Sequence, residues 1–130
     1  MPQDPLPSEA ELLLLQALWE NPDATVQTVH EWIEATGKQV GYTTTLKQLQ
    51  RMQGKGLVTR RKEGKQHLYR AVPDRATTEA ALVERMSNTA FSGSAIRLAL
   101  KALGSADPTR DELAELERWI EDQKDRKWIP

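Results

Sequence analysis

Apolar residues recur along the first half of the chain with the period of helices, then switch near residue 57 to the two-residue period of strands. "SEAELLLLQALW" opens on a capping box, with Ser8 as cap and Glu11 returning the bond three residues on. Leu12, Leu15 and Trp19 follow at helical spacing and predict an amphipathic helix, stopped by Asn21, Pro22 and Asp23. Thr25 is the expected cap of a second helix, with Val26, Val29 and Ile33 on one face and Gly37 as terminator. "YTTTLKQLQRMQGKG" predicts a third, starting at Thr43 or Thr44. On a helical wheel Leu46, Leu49 and Met52 face the core. The opposite face holds Thr44, Lys47, Arg51 and, one turn later, Lys55, bordered by Gln48 and Gln50.

"LVTRRKEGKQHLYRAV" alternates, and predicts strands at 57–62 and 66–72 around a turn at Glu63, Gly64 and Lys65. Arg60, Arg61, Lys62 and Lys65 then gather at the hairpin tip. Three helices followed by a basic hairpin is the element order of a winged helix-turn-helix. Pro73-Asp74 breaks the pattern, and Asp74 is placed to cap a helix reaching about Asn88. After "FSGS" comes a short, nearly continuous apolar helix. A last helix opens on a second capping box, Thr109 to Glu112. The expected fold is mainly α with a small β-hairpin wing: a winged helix-turn-helix domain over residues 1–73 and a C-terminal helical dimerisation region over residues 74–130. Three short helices cannot bury their own stripes, so Leu82, Met86, Phe91, Ile96, Leu100, Leu103, Leu113, Leu116 and Ile120 are expected at a two-fold dimer contact. Folding back of these helices on the first domain is the plainer alternative.

Charge changes the picture. The chain carries a net charge of only -1. Yet residues 1–37 hold seven acids and no Lys or Arg, whereas residues 38–70 hold nine Lys or Arg and one acid, Glu63. A basic block of this kind is the footprint of a polyanion-binding surface if it folds onto one face, and otherwise a solvated face. The third helix has no acid between Thr43 and Lys55, as a helix lying against phosphates requires. In the major groove its N-terminal hydroxyls, Thr43 and Thr44, suit a phosphate or a thymine methyl. Lys47 points the same way, and Arg51 has the fork that bonds guanine O6 and N7 together. Gln48 and Lys55 complete the expected contacts of the helix. Arg61, Lys62 and Lys65 on the wing would neutralise phosphates without reading sequence.

Other chemistries find no support. With 38% hydrophobic and 28% charged residues the composition is that of an ordinary soluble protein, and the longest apolar run, Leu12–Leu15, is far too short to span a membrane. "MPQDPLPSEAE" lacks the cationic start of a secretory signal, so the cytoplasm is the expected compartment. There is no cysteine, hence no disulfide or thiolate metal site. No nucleophile–base set, metal-ligand spacing or glycine-rich phosphate loop is present, so neither enzymatic activity nor a cofactor or metal is expected. His30, alone in the second helix, is expected to pack or face solvent.

From about Ser8 to Glu121 the chain resembles the penicillinase-repressor family of winged-helix regulators, the BlaI/MecI/CopY group. "ELLLLQALW" is similar to the family's first helix, "YTTTLKQLQRMQGKGLV" to its recognition helix and "RRKEGKQHLYRAV" to its wing. "AFSGSAIRLALKAL" with "TRDELAELERWI" is similar to the C-terminal region of one branch. The resemblance implies a homodimeric repressor on an inverted-repeat DNA operator, controlling genes of β-lactam resistance or another stress response. Carried over residue by residue, its DNA contacts fall on Thr43, Thr44, Lys47 and Arg51. It also implies a membrane-bound metalloprotease sensor as a partner, which triggers cleavage in the C-terminal region. The best-known members are cut at an Asn-Phe bond, and this chain contains no Asn-Phe dipeptide. The cysteine-dependent copper response of another branch is excluded.

Two other readings compete. A repressor that releases DNA on binding a small molecule would need an apolar pocket between the two regions, for which Trp19, Trp32, Trp119 and Trp128 are the candidate walls. A winged helix that binds an acidic protein would also use the basic block.

Overall fold

The computed structural model describes residues 6–127. Trp128 lies outside them, as does the proline-rich start "MPQDP". The order of elements is α1 (Glu9–Glu20), α2 (Val26–Ala35), α3 (Tyr42–Gly54), β1 (Val58–Glu63), β2 (Gln66–Ala71), α4 (Arg75–Ala90), α5 (Ala95–Gly104) and α6 (Arg110–Lys127). This is the expected mainly helical chain with one hairpin. Two compact units, Met1–Val83 and Glu84–Pro130, divide inside α4.

In the first unit, α1 begins with the capping box: the Glu11 backbone N–H donates to Ser8 Oγ at 3.2 Å, and the Ser8 N–H to Glu11 Oε1 at 2.9 Å. Its buried side is Glu11, Leu14, Leu15, Ala17 and Leu18, with Leu12 and Trp19 only half-buried. The expected stripe was therefore rotated. Four successive leucines fit more than one face of a wheel, and contact with α2, α3 and β2 selects Leu14 and Leu18. In α2, Thr25 caps and Val26, Val29 and Ile33 are buried, as the spacing predicts. Gly37 ends it at φ +93, a conformation glycine adopts without strain.

Helix α3 starts one residue earlier than expected, at Tyr42, with Gly41 as N-cap. Its inner face is Thr45, Leu49 and Met52, while Leu46 is half-buried. Thr45 tolerates burial because its hydroxyl bonds the Gly41 carbonyl at 3.3 Å.

The hairpin is tighter than expected. Glu63 pairs with Gln66, leaving only Gly64 and Lys65 in the turn. Gly64 takes φ +64 and Lys65 stays negative, the pattern of a type II′ turn. At the base Val58 is buried, and Tyr69 is buried completely. The Tyr69 backbone exchanges two hydrogen bonds with Ala24, at 2.8 and 3.0 Å, so Ala24 acts as a third, one-residue strand.

In the second unit, Ser94 caps α5 and the Thr109–Glu112 box caps α6. The α4 helix runs to Ala90, past the expected Asn88. The polar "KDRK" forms the end of α6, which is helical through Lys127. Lys124, Arg126 and Lys127 sit in its last turn, where cations oppose the helix dipole. Among the described residues no helix is long and apolar enough to cross a membrane.

Leu15 and Leu12 separate the two versions of α1. Leu15→Ala should cost about 2–5 kcal/mol in urea unfolding, and Leu12→Ala clearly less. Equal losses would restore the rotated stripe.

Candidate nucleic-acid interface

The outer face of α3 is built by what its inner face buries. With Thr45, Leu49 and Met52 turned in, Thr43, Thr44, Lys47 and Arg51 are all exposed, and Gln48 is half-buried beside them. Lys47 and Arg51 are one turn apart, about 6 Å along the axis. Neither forms an ion pair among the described residues, and neither do Arg60, Lys62 or Lys65 on the wing.

The start of α3 is also unusual. Ser8, Thr25, Asp74, Ser94 and Thr109 each accept a first-turn backbone N–H of their helices. Gly41 supplies no side-chain cap. The first N–H groups of α3 are left for water or an external acceptor, and they carry the positive end of the helix dipole.

Two expected contacts are placed differently from the rest. The Lys55 ammonium donates to Glu11 Oε2 at 2.8 Å, across 44 residues of chain. Arg61 bonds Glu63 at 2.8 Å and approaches Asp23 at 3.8 Å. Arg70 holds Asp23 with two bonds, Nε to Oδ1 at 3.1 Å and Nη2 to Oδ2 at 2.6 Å. The Lys55 hydrogen bond, followed by that of the Ser8 backbone, holds the Glu11 carboxyl below the usual carboxylate range despite its burial. The Arg70 hydrogen bond does the same for Asp23. Glu11 and Asp23 were not singled out from sequence as partners of the basic block. No local pattern joins residues so far apart, although Asp23, at φ +57 in a tight turn, occupies a strained position.

His30 packs as expected: its ring meets Tyr42 edge-on at 5.9 Å, and Nε2 lies 2.9 Å from Glu34. Trp19 donates to the Pro73 carbonyl and Trp32 to Glu20, so both indole N–H groups are committed within the first unit. Trp119 lines a cavity of about 510 Å³ in the second unit, with Leu103, Pro108 and Leu116.

The family model described as penicillinase repressor matches residues 7–122. The chain belongs to the penicillinase repressor family. It is thus a DNA-binding transcriptional repressor, in a family of regulators and not of enzymes. Bacillus licheniformis BlaI, solved in solution as a monomer with the blaP half-operator, is similar at 25% identity and a TM-score of 0.49, over 58% of this chain and 92% of that one. The PcaV transcriptional regulator of Streptomyces coelicolor, crystallised with its natural ligand, is similar at 18% identity and a TM-score of 0.50, over 92% of this chain and 75% of that one. The latter likeness is one of fold. No curated protein matches the chain.

Because its carboxyl is held low, Glu11 binds its proton more weakly in the folded than in the unfolded chain. The stability this gives is complete above the ordinary Glu range and is lost as pH falls through the lowered folded value. Urea unfolding should therefore show wild type above Glu11→Gln at neutral pH and the two converging in acid. A gap that stays constant to low pH would contradict the bridge.

Proposed function

We propose that this repressor binds an inverted-repeat operator as a homodimer, with α3 in the major groove and the wing on the flanking phosphates. The observation that carries this reading is the outer face of α3: free of acid, uncapped at its start, and bearing two cations without ion pairs among the described residues. Arg51 is assigned to a guanine and Lys47 and Gln48 to neighbouring base edges or phosphate. Thr43 and Thr44, with the free N–H groups, are assigned to a backbone phosphate. Lys62 and Lys65 act as phosphate clamps. Arg61 joins them only by giving up Glu63 and Asp23. Lys55 is held by Glu11.

The region from about residue 74 is assigned to dimerisation. No residue of α5 or α6 is buried in the single chain, and Met86, Ile96, Leu100, Leu103, Leu113 and Ile120 are all large, apolar and exposed. Leu82, Phe91 and Leu116 are half-buried among them. A second copy supplies the cover that such a surface lacks. The family supports cytoplasmic control of β-lactam-resistance or other stress genes, and a membrane-bound metalloprotease sensor as the releasing partner. A second reading, release by a small molecule, would engage the groove at Trp119, whose walls also include Asp107, Glu112 and Glu115; a saturable tryptophan fluorescence change would mark it.

The first test is anisotropy with a duplex from upstream of the protein's own gene. Arg51→Ala should cost about 1–3 kcal/mol of specific affinity and blur one position per half-site. Lys65→Ala should weaken binding to all duplexes and lower the salt slope by about 1. Equal proportional losses on specific and random DNA in both variants would refute the division between reader and clamp. Leu100→Asp should leave a folded monomer by sedimentation. A persistent dimer would move the contact elsewhere.

A further inference from the structure

We propose that Glu11 is a positioning residue for DNA recognition: through Lys55 it latches the C-terminal end of α3, and Lys55 serves this latch in place of a phosphate. The proposal rests on α3 being the DNA-reading helix. Glu11 is the one buried acid among the described residues, its side chain only 7% exposed. Both its oxygens are committed, Oε1 to the Ser8 N–H and Oε2 to the Lys55 ammonium.

Capping alone does not require this arrangement. The Thr109–Glu112 box closes α6 with the same reciprocal bonds, at 2.9 and 3.1 Å. Yet Glu112 is exposed and meets no cation among the described residues. One chain thus contains the motif twice, and only the copy beside α3 is buried and bridged. Among the described residues, this bridge is also the only side-chain hydrogen bond from α3 or its C-cap to another element. The apolar contacts of Leu49 and Met52 hold the helix down but are not directional. A charge-assisted hydrogen bond is.

Arg51 lies about 6 Å and Lys47 about 12 Å along the axis from Lys55, so a tilt of roughly 10° about the latched end moves them by about 1 and 2 Å. Base-edge hydrogen bonds do not survive such a shift. Long cations on phosphates adapt to it. Loss of the latch should therefore erode specificity more than affinity.

The test compares wild type, Glu11→Gln, Lys55→Met, Lys55→Arg and the double variant Glu11→Gln/Lys55→Met, each checked for folding by circular dichroism. The probes are the duplex that wild type selects from a random pool and a random-sequence duplex of equal length, across a salt series. Glu11→Gln and Lys55→Met should each lower the specific-to-random ratio about tenfold. The double variant should be no worse than either single one. Lys55→Arg should restore the ratio, and no variant should change the salt slope on random DNA. A slope reduced by about 0.9 in Lys55→Met would make Lys55 a phosphate contact and overturn the latch. So would wild-type discrimination in Glu11→Gln, or equal losses on both duplexes. If Glu11→Gln does not fold, Lys55→Met decides, because its side chain is 64% exposed. A wild type that selects no sequence would overturn the DNA-reading assignment and the latch with it.

Discussion

The first unit depends on the way Tyr69 is held. Its side chain is fully buried among the helices, and its backbone trades two hydrogen bonds with Ala24, in the turn between α1 and α2. A two-stranded hairpin is marginal in water by itself. Here its inner strand belongs to the core, while its type II′ tip projects with Lys62 and Lys65 exposed. Asp23, one residue before Ala24, adds the two bonds from Arg70 on the same strand. Wing and helices thus share one packing unit, and the spacing between wing cations and α3 is set by core residues.

Much of this was legible in the sequence because it is local. Capping boxes act over three residues, helical stripes over four and the hairpin turn over two, and Ser8, Thr25, Asp74 and Thr109 all cap where their positions predict. What was misread depended on context. The run "LLLL" satisfies several helical faces, and only neighbouring elements choose among them. Thr45 looks polar, so it was passed over for Leu46, yet a hydroxyl that bonds its own helix is admissible in a core. The outer face of α3 followed correctly from the wheel, because a swap between Thr45 and Leu46 on the inner side leaves the opposite side unchanged.

The charge pattern shows the limit most clearly. Counted along the chain, residues 38–70 carry nine cations against one acid. In space, Glu11 takes Lys55, Asp23 takes Arg70 and draws on Arg61, and Glu63 takes Arg61 again. Acids of the cation-free first segment thus serve as internal counterions for part of the basic block. Of the nine cations in residues 38–70, those without ion pairs among the described residues are Lys38, Lys47, Arg51, Arg60, Lys62 and Lys65.

That partition bears on specificity. Every free cation set against a phosphate adds affinity for all DNA alike, because the gain comes from released counterions and not from sequence. A repressor working among a genome of competing sites gains nothing from such affinity unless sequence-dependent contacts rise with it. Neutralising Lys55, Arg61 and Arg70 internally lowers the general attraction. The same charges then brace the wing and α3, and on the proposed reading such rigidity favours base-edge contacts, which tolerate little displacement. A uniformly basic surface of the same net charge would bind DNA more tightly and distinguish one sequence from another less well.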